Sequence, residues 1–146
     1  MRAGWFALCL LMLTLFCTGA LGEIYCNQAP PEAWDSQEVL RLTVFPTKQS
    51  DCMVLEVGGE RMFLEGGRDT WHDAITELLQ QYNLNSVDYL YVSHGHPDHL
   101  DNQMALLESG NLQGALFLTP STSMPEMEEA DVPNRLNALG IPLYIL

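Results

Sequence analysis

Apolar and polar positions alternate with a period of two over residues 39–45 (Val-Leu-Arg-Leu-Thr-Val-Phe), which predicts a strand with one face buried. Two further strand-like runs, 52–57 and 61–65, flank Gly58-Gly59, a two-residue hairpin signal. The period then changes. Trp71, Ala74, Ile75, Leu78, Leu79 and Tyr82 recur at helical spacing, so one buried face of an amphipathic helix covers 71–83, with Asp69 or Thr70 as its cap. Residues 87–93 (Val-Asp-Tyr-Leu-Tyr-Val-Ser) are β-branched and aromatic and read as a buried strand. A helix near 100–109, a strand at 115–119, a loop or broken helix over 120–133, a short helix at 134–139 stopped by Gly140 and a strand at 141–146 complete the order βββ-α-β-α-β-α-β. That order predicts an α/β fold, a mixed sheet covered by helices.

Before these elements the pattern is different. Arg2 is followed by an almost wholly apolar run from Trp5 to Phe16 and then by Ala20-Leu21-Gly22, the layout of a secretory signal peptide over 1–22. The competing reading is an uncleaved N-terminal anchor. Residues 23–37, marked by Pro30-Pro31, are an irregular lead-in, and 38–146 are expected to form a single domain. The expected location is therefore exported, secreted or extracytoplasmic. Cys26 and Cys52 are the two cysteines beyond the signal; in an exported chain they form either a disulfide or two independent buried thiols.

Charge narrows the partners. The chain carries 19 acidic and six basic residues, a formal net charge of −13. Such a chain repels polyanions at long range, so no generic nucleic-acid binding is expected, since that rests on Lys and Arg neutralising phosphates. A phosphodiester substrate stays open because a bound metal would invert the local field. The glycine pairs read as turns rather than a phosphate cradle, and nothing calls for an organic cofactor. The acidic run Glu126, Glu128, Glu129 and Asp131 reads as a solvated face.

Candidate chemistry is concentrated in one window. His94, His96 and His99, three of the four histidines, fall within His94-Gly95-His96-Pro97-Asp98-His99. Neutral imidazole and carboxylate suit zinc and other first-row divalent metals. The window follows the 87–93 strand directly, and strand C-terminal ends are where α/β folds gather ligands. Gly95 and Pro97 are expected to stop regular structure there. His72, one residue off the apolar stripe of its helix, reads as a solvated helix-start residue. Ser93 precedes the cluster without an elbow motif, so no serine triad competes.

Ser93-His94-Gly95-His96-Pro97-Asp98-His99-Leu100 resembles the H-x-H-x-D-H signature of the metallo-β-lactamase-fold hydrolases. The resemblance implies an αββα sandwich, of which 38–146 matches only the N-terminal half. It implies that His94 and His96 hold one Zn2+ and Asp98 and His99 a second, other divalent metals being possible. Asp98 would orient the attacking hydroxide, or serve as base if only one metal is present. Glu65 stands where the family's early strand pair ends in Asp, and is the candidate for supporting the ligands. Within the family, Tyr-Leu-Tyr-Val-Ser-His and the exported context most resemble the hydrolase domains of bacterial competence channels. A complete two-metal site in this family adds later His and Asp ligands, and no histidine follows His99. The chain is then either a fragment or a truncated domain.

Two functions follow. One is an exported metal-dependent hydrolase acting on an ester, phosphodiester or amide-type bond of a small-molecule or phosphodiester substrate. The other is a non-catalytic module that binds metal or a partner, with homo-oligomer formation through an exposed sheet face.

Overall fold

A computed structural model describes residues 40–146, which fall in a single compact unit. The predicted signal peptide, the lead-in and Cys26 lie outside the described residues.

The hairpin signal folds as a hairpin. β1 (Arg41–Val44), β2 (Cys52–Val57) and β3 (Glu60–Gly66) form an antiparallel meander, with Val57 paired to Glu60 across Gly58 and Gly59. Both glycines have positive φ, 61° and 87°, the backbone twist that matches the strands of a two-residue hairpin. After a 3₁₀ turn at Asp69–Trp71 comes α1 (His72–Gln81), which no side chain caps, contrary to the expected role of Asp69 or Thr70. β4 (Ser86–Tyr91) carries the strand predicted at 87–93.

The helix after β4, α2 (Pro97–Glu108), begins three residues earlier than its apolar pattern indicates. Pro97 starts it rather than stopping structure, because a fixed φ and a missing N–H suit the first helical position. Asp98 and His99 consequently sit on a helical first turn. β5 (Gln113–Thr119) follows, then a 3₁₀ turn at Ser121–Ser123, α3 (Met124–Glu129), α4 (Val132–Ala138) and β6 (Leu143–Ile145).

The six strands lie in sequence order, antiparallel from β1 to β3 and parallel from β3 to β6. Val54, Phe63, Leu90 and Phe117 stand in one register row across four strands and are fully buried. Ile75 and Leu79 of α1, Leu100 and Met104 of α2, Met127 of α3 and Leu136 of α4 close over that row. The opposite face carries Leu42, Leu55, Met62, Tyr89 and Leu116 in one row, and Val44, Met53, Leu64, Tyr91, Leu118 and Tyr144 in the next. This face is far less covered: Leu42 is 51% exposed and Val44 65%. The four helices therefore cover one side of the sheet.

α2 rests directly on the end of β3. The Asn102 side chain donates to Gly66 O at 2.8 Å, and its backbone N–H donates to Gly67 O at 3.1 Å. A Cβ on Gly66 would stand 2.2 Å from the backbone nitrogen of Gln103, so the helix approaches this closely only over glycine. Cys52 is a free, buried thiol at the start of β2, and burial pushes its pKa well above the ordinary value.

Two outcomes follow from this packing. Gly66→Ala must push α2 off the strand end, and urea unfolding should show a loss of about 1–3 kcal/mol; unchanged stability would mean the helix tolerates displacement. Arg135 Nε donates to Glu108 at 2.6 Å, which holds the Glu108 carboxyl below its usual range. Its pKa is lowered on folding, so the pair stabilises above the unfolded value of 4.5 and the contribution fades as pH falls through the lower folded value. Both side chains are about a third or more exposed, so Glu108→Gln should cost under about 1 kcal/mol at pH 7 and nothing in strong acid, read from melts across pH.

Candidate metal centre

The histidine loop is pinned along its backbone before any side chain is considered. Val92 N–H donates to Leu118 O at 3.2 Å, and Thr119 Oγ1 donates back to Val92 O at 3.1 Å. Ser123 Oγ donates to Ser93 O at 2.6 Å. Ser93 N–H donates to both oxygens of Glu65, at 3.1 and 3.3 Å. Gly95 N–H donates to Glu126 Oε2 at 3.0 Å. Four segments of chain thus hold the loop at Val92, Ser93 and Gly95.

The side chains gather above this frame. The ring of His94 lies 4.5 Å from that of His96 and 4.1 Å from that of His99, measured between centroids. His94 Nδ1 is 2.9 Å from Ser93 Oγ, and His99 Nδ1 is 3.3 Å from Glu65 Oε2. Each of these rings therefore has one nitrogen engaged and Nε2 turned away from that contact. A carboxylate on the far nitrogen is the usual way of fixing the tautomer and direction of a ligating imidazole. His99 Nε2 lies 3.9 Å from Asp98 Oδ2. A hydrogen bond from its own backbone N–H holds the Asp98 carboxyl below the usual range, with the fields of His99, Arg68 and His96 acting in the same direction.

Glu65 is 7% exposed and has a φ of +55°, a left-handed conformation that costs a residue with a Cβ about 1 kcal/mol or more. That backbone turn places its carboxylate between Ser93 N–H and His99.

The donors are of the right chemical type for a divalent metal, and two imidazoles are already oriented. Among the described residues, however, no three His, Cys, Asp or Glu side chains stand around one point as a metal-holding group. The window thus brings His94, His96, Asp98 and His99 together without closing them on a shared centre.

Two expectations change here. Glu126 is not merely part of a solvated acidic face: besides holding Gly95 N–H, its Oε1 lies 3.7 Å from His96 Nε2. A Cβ on Gly95 would meet Glu126 Cβ at 2.7 Å, so the loop and α3 are in close contact. No periodicity foretells this, because the contact spans 31 residues. His72 is likewise not free in solvent. Its Nδ1 is 3.2 Å from Asn102 Oδ1 and its Nε2 is 3.3 Å from Asn111 Nδ2, which ties α1 to α2 away from the cluster.

The mixed six-stranded sheet, four helices and H-x-H-x-D-H loop between β4 and α2 agree with the metallo-β-lactamase-type fold that the following relatives imply, covered in part. No family model matches the chain. Among curated proteins it is similar to the endoribonuclease ysh1 of Schizosaccharomyces pombe, 26% identical over 98 residues, which are 66% of this chain and 13% of that protein. The endoribonuclease ysh-1 of Neurospora crassa and the endoribonuclease YSH1 of Saccharomyces cerevisiae are each 29% identical over 73 residues, 49% of this chain and 9% of theirs. The chain is a distant, partial homologue of these enzymes and spans about a tenth of their length.

These relatives correct three expectations. The likeness to competence-channel hydrolases finds no support. A small-molecule substrate with no nucleic-acid binding is overturned, since the relatives are endoribonucleases and their substrate is RNA. The exported location is overturned on the same ground, the relatives being RNA-processing endoribonucleases and not exported proteins. Among the described residues no helix is long and apolar enough to cross a membrane.

The Glu65 contacts generate a test. Glu65→Ala leaves the Ser93 N–H and His99 Nδ1 without their acceptor and should cost about 2–3 kcal/mol in urea unfolding. Glu65→Gly loses the same contacts but relieves the positive φ, so it should be less damaging by about 1 kcal/mol. The reverse order would show that the backbone turn is not what positions this carboxylate.

Proposed function

We propose that the loop between β4 and α2 is the metal centre of a hydrolase of metallo-β-lactamase type, and that the bond it cuts is an RNA phosphodiester. The observation that supports this most is the Glu65–His99 contact. Besides accepting the Ser93 N–H, this buried carboxylate is aimed at the far nitrogen of a histidine, which is what a ligating imidazole needs. In this reading the sheet and its helices are one half of an αββα sandwich.

His94 and His96 would hold one zinc ion, and Asp98 and His99 a second; the same donors accept other divalent metals. A bound divalent ion lowers the pKa of its water from 15.7 to about 7 and stabilises negative charge on a phosphoryl group. The chain's own residues supply orientation. Glu65 takes the His99 Nδ1 proton in a hydrogen bond, which leaves the Nε2 lone pair for a ligand. Ser93 does the same for His94. Asp98 would orient the attacking water, or act as its base if only one metal is bound. Glu126 holds Gly95 and faces His96, so the loop stays fixed while side-chain rotation closes the donors.

A non-catalytic metal- or partner-binding module is the second reading, favoured by the donors' failure to converge on one point. Metal content separates the two. After dialysis, the chain should retain one or two zinc equivalents by elemental analysis, and His94, His96 and His99 replaced together by Ala should retain none. His96→Ala should lose metal and His72→Ala should not. Retained metal together with cleavage of single-stranded RNA supports the hydrolase. Metal without cleavage supports the module, and equal loss in His96→Ala and His72→Ala sinks the ligand assignment.

A further inference from the structure

Five cationic side chains occur in the described residues, and three of them are committed. Arg41 and Arg61 both pair with Glu56, at 3.0 and 3.1 Å, and Arg135 pairs with Glu108. Lys48 and Arg68 are exposed and form no ion pair among the described residues. In a chain of net charge −13, cations left without a carboxylate are unexpected. These two line the same pocket, of about 380 Å³, together with Thr47, Ser50, Thr70 and Trp71. That volume is within the usual range for a small-molecule or nucleotide site, about 300–1,000 Å³.

The pocket has a firm floor and an aromatic wall. Thr47 is buried, and its hydroxyl donates to Ser50 O while Ser50 Oγ donates to Thr47 O at 3.2 Å, so the loop from β1 to β2 braces itself. Gly67, with a φ of +74°, fits beneath it, a Cβ there standing 3.1 Å from Ser50 Oγ. Trp71 is half-buried and packs against the core, yet the Lys48 ammonium stands 5.9 Å over its ring. One aromatic face therefore looks onto the pocket, covered by the Lys48 ammonium. Arg68 follows Gly67, whose carbonyl accepts the Asn102 N–H of α2 at 3.1 Å, so the pocket flanks the helix that leaves the histidine loop.

A free inorganic anion would use the cations but not the ring, and an acidic peptide would leave the ring idle as well. A single-stranded nucleic acid uses both: its backbone phosphates pair with Lys and Arg, and its bases stack on aromatic faces. We propose that this pocket is a subsite for single-stranded RNA, in which Lys48 and Arg68 hold one backbone phosphate and Trp71 stacks the adjoining base. The proposal rests on reading the neighbouring loop as a nuclease centre, and it deepens that reading by naming where the strand enters. It also resolves the conflict between an acidic chain and an RNA substrate: the repulsion is global, and two unpaired cations beside the site act locally. The Lys48 ammonium turns aside from the ring to the phosphate when the base stacks there. The Thr70 hydroxyl adds a donor for phosphate or ribose oxygens.

The test is binding of a fluorescein-labelled oligouridylate decamer to the full chain, read by fluorescence anisotropy with and without EDTA so that cleavage is suppressed in one arm. Lys48→Ala and Arg68→Ala should each weaken binding roughly tenfold at low salt and reduce the salt dependence by about one phosphate contact. Trp71→Ala should weaken it by about tenfold and Trp71→Phe by much less, because a phenyl ring still stacks. Lys48 and Arg68 are exposed, so their variants read the site even if Trp71→Ala fails to fold. Single-stranded DNA should bind comparably, and uridine monophosphate or inorganic phosphate far more weakly. Binding that ignores all three substitutions overturns the subsite, as does no binding at all, or uridine monophosphate binding as tightly as the decamer. If the chain retains no zinc but its RNA binding still depends on Lys48 and Arg68, the nuclease reading fails and the subsite stands. Zinc retention and cleavage with substitution-insensitive binding remove the subsite alone.

Discussion

A buried carboxylate must find hydrogen-bond donors or give up its charge, and around Glu65 that requirement organises the molecule. Its backbone is forced into the left-handed region at the end of β3, and its oxygens take the Ser93 N–H and face His99 Nδ1. One side chain thereby joins three elements: the strand it ends, the loop that leaves β4 and the first turn of α2. The glycines that follow it let α2 come down onto the strand end, where Asn102 bonds to the carbonyls of Gly66 and Gly67. Remove that carboxylate and the loop loses a backbone acceptor and a histidine loses its orientation together.

The loop itself shows how a site is made rigid without regular structure. It is clamped from β3 by Glu65, from the end of β5 by Thr119, from the turn after it by Ser123 and from α3 by Glu126. Each of these clamps is a side chain reaching a backbone group, and Ser93 and Glu65 in addition orient the rings of His94 and His99. The rings pack at 4.1 and 4.5 Å without sharing a centre.

Charge works at two scales here. The excess of carboxylates sets a repulsive field at a distance, which salt screens beyond about 8–10 Å. Near the site, what counts is which cations have been neutralised by neighbours. Glu56 and Glu108 occupy three of the arginines, and the remaining lysine and arginine share one pocket with an aromatic face. A whole-chain charge says little about a local partner, because it averages over the separation that decides local attraction.

The strands and helices were legible because each rests on local periodicity: the alternation at 39–45, the helical stripe from Trp71 to Tyr82, the β-branched run at 87–93 and the glycine hairpin all appear within two or three residues of their expected places. The histidine window was legible as metal-type chemistry because its donors are contiguous. Helix boundaries were less so: Pro97 looked like a stop, and only a strand above and a core beneath made it a start. Glu126, 31 residues from Gly95, and the pairing of Lys48 with Arg68 across one pocket left no trace in spacing. By itself the sequence determined the element order, the buried faces and where donors of metal-binding type are concentrated, since these follow from side-chain chemistry at short range. Only the tertiary structure decided which carboxylate orients which histidine and which cations remain unpaired, because those contacts exist only once the sheet has brought distant segments side by side.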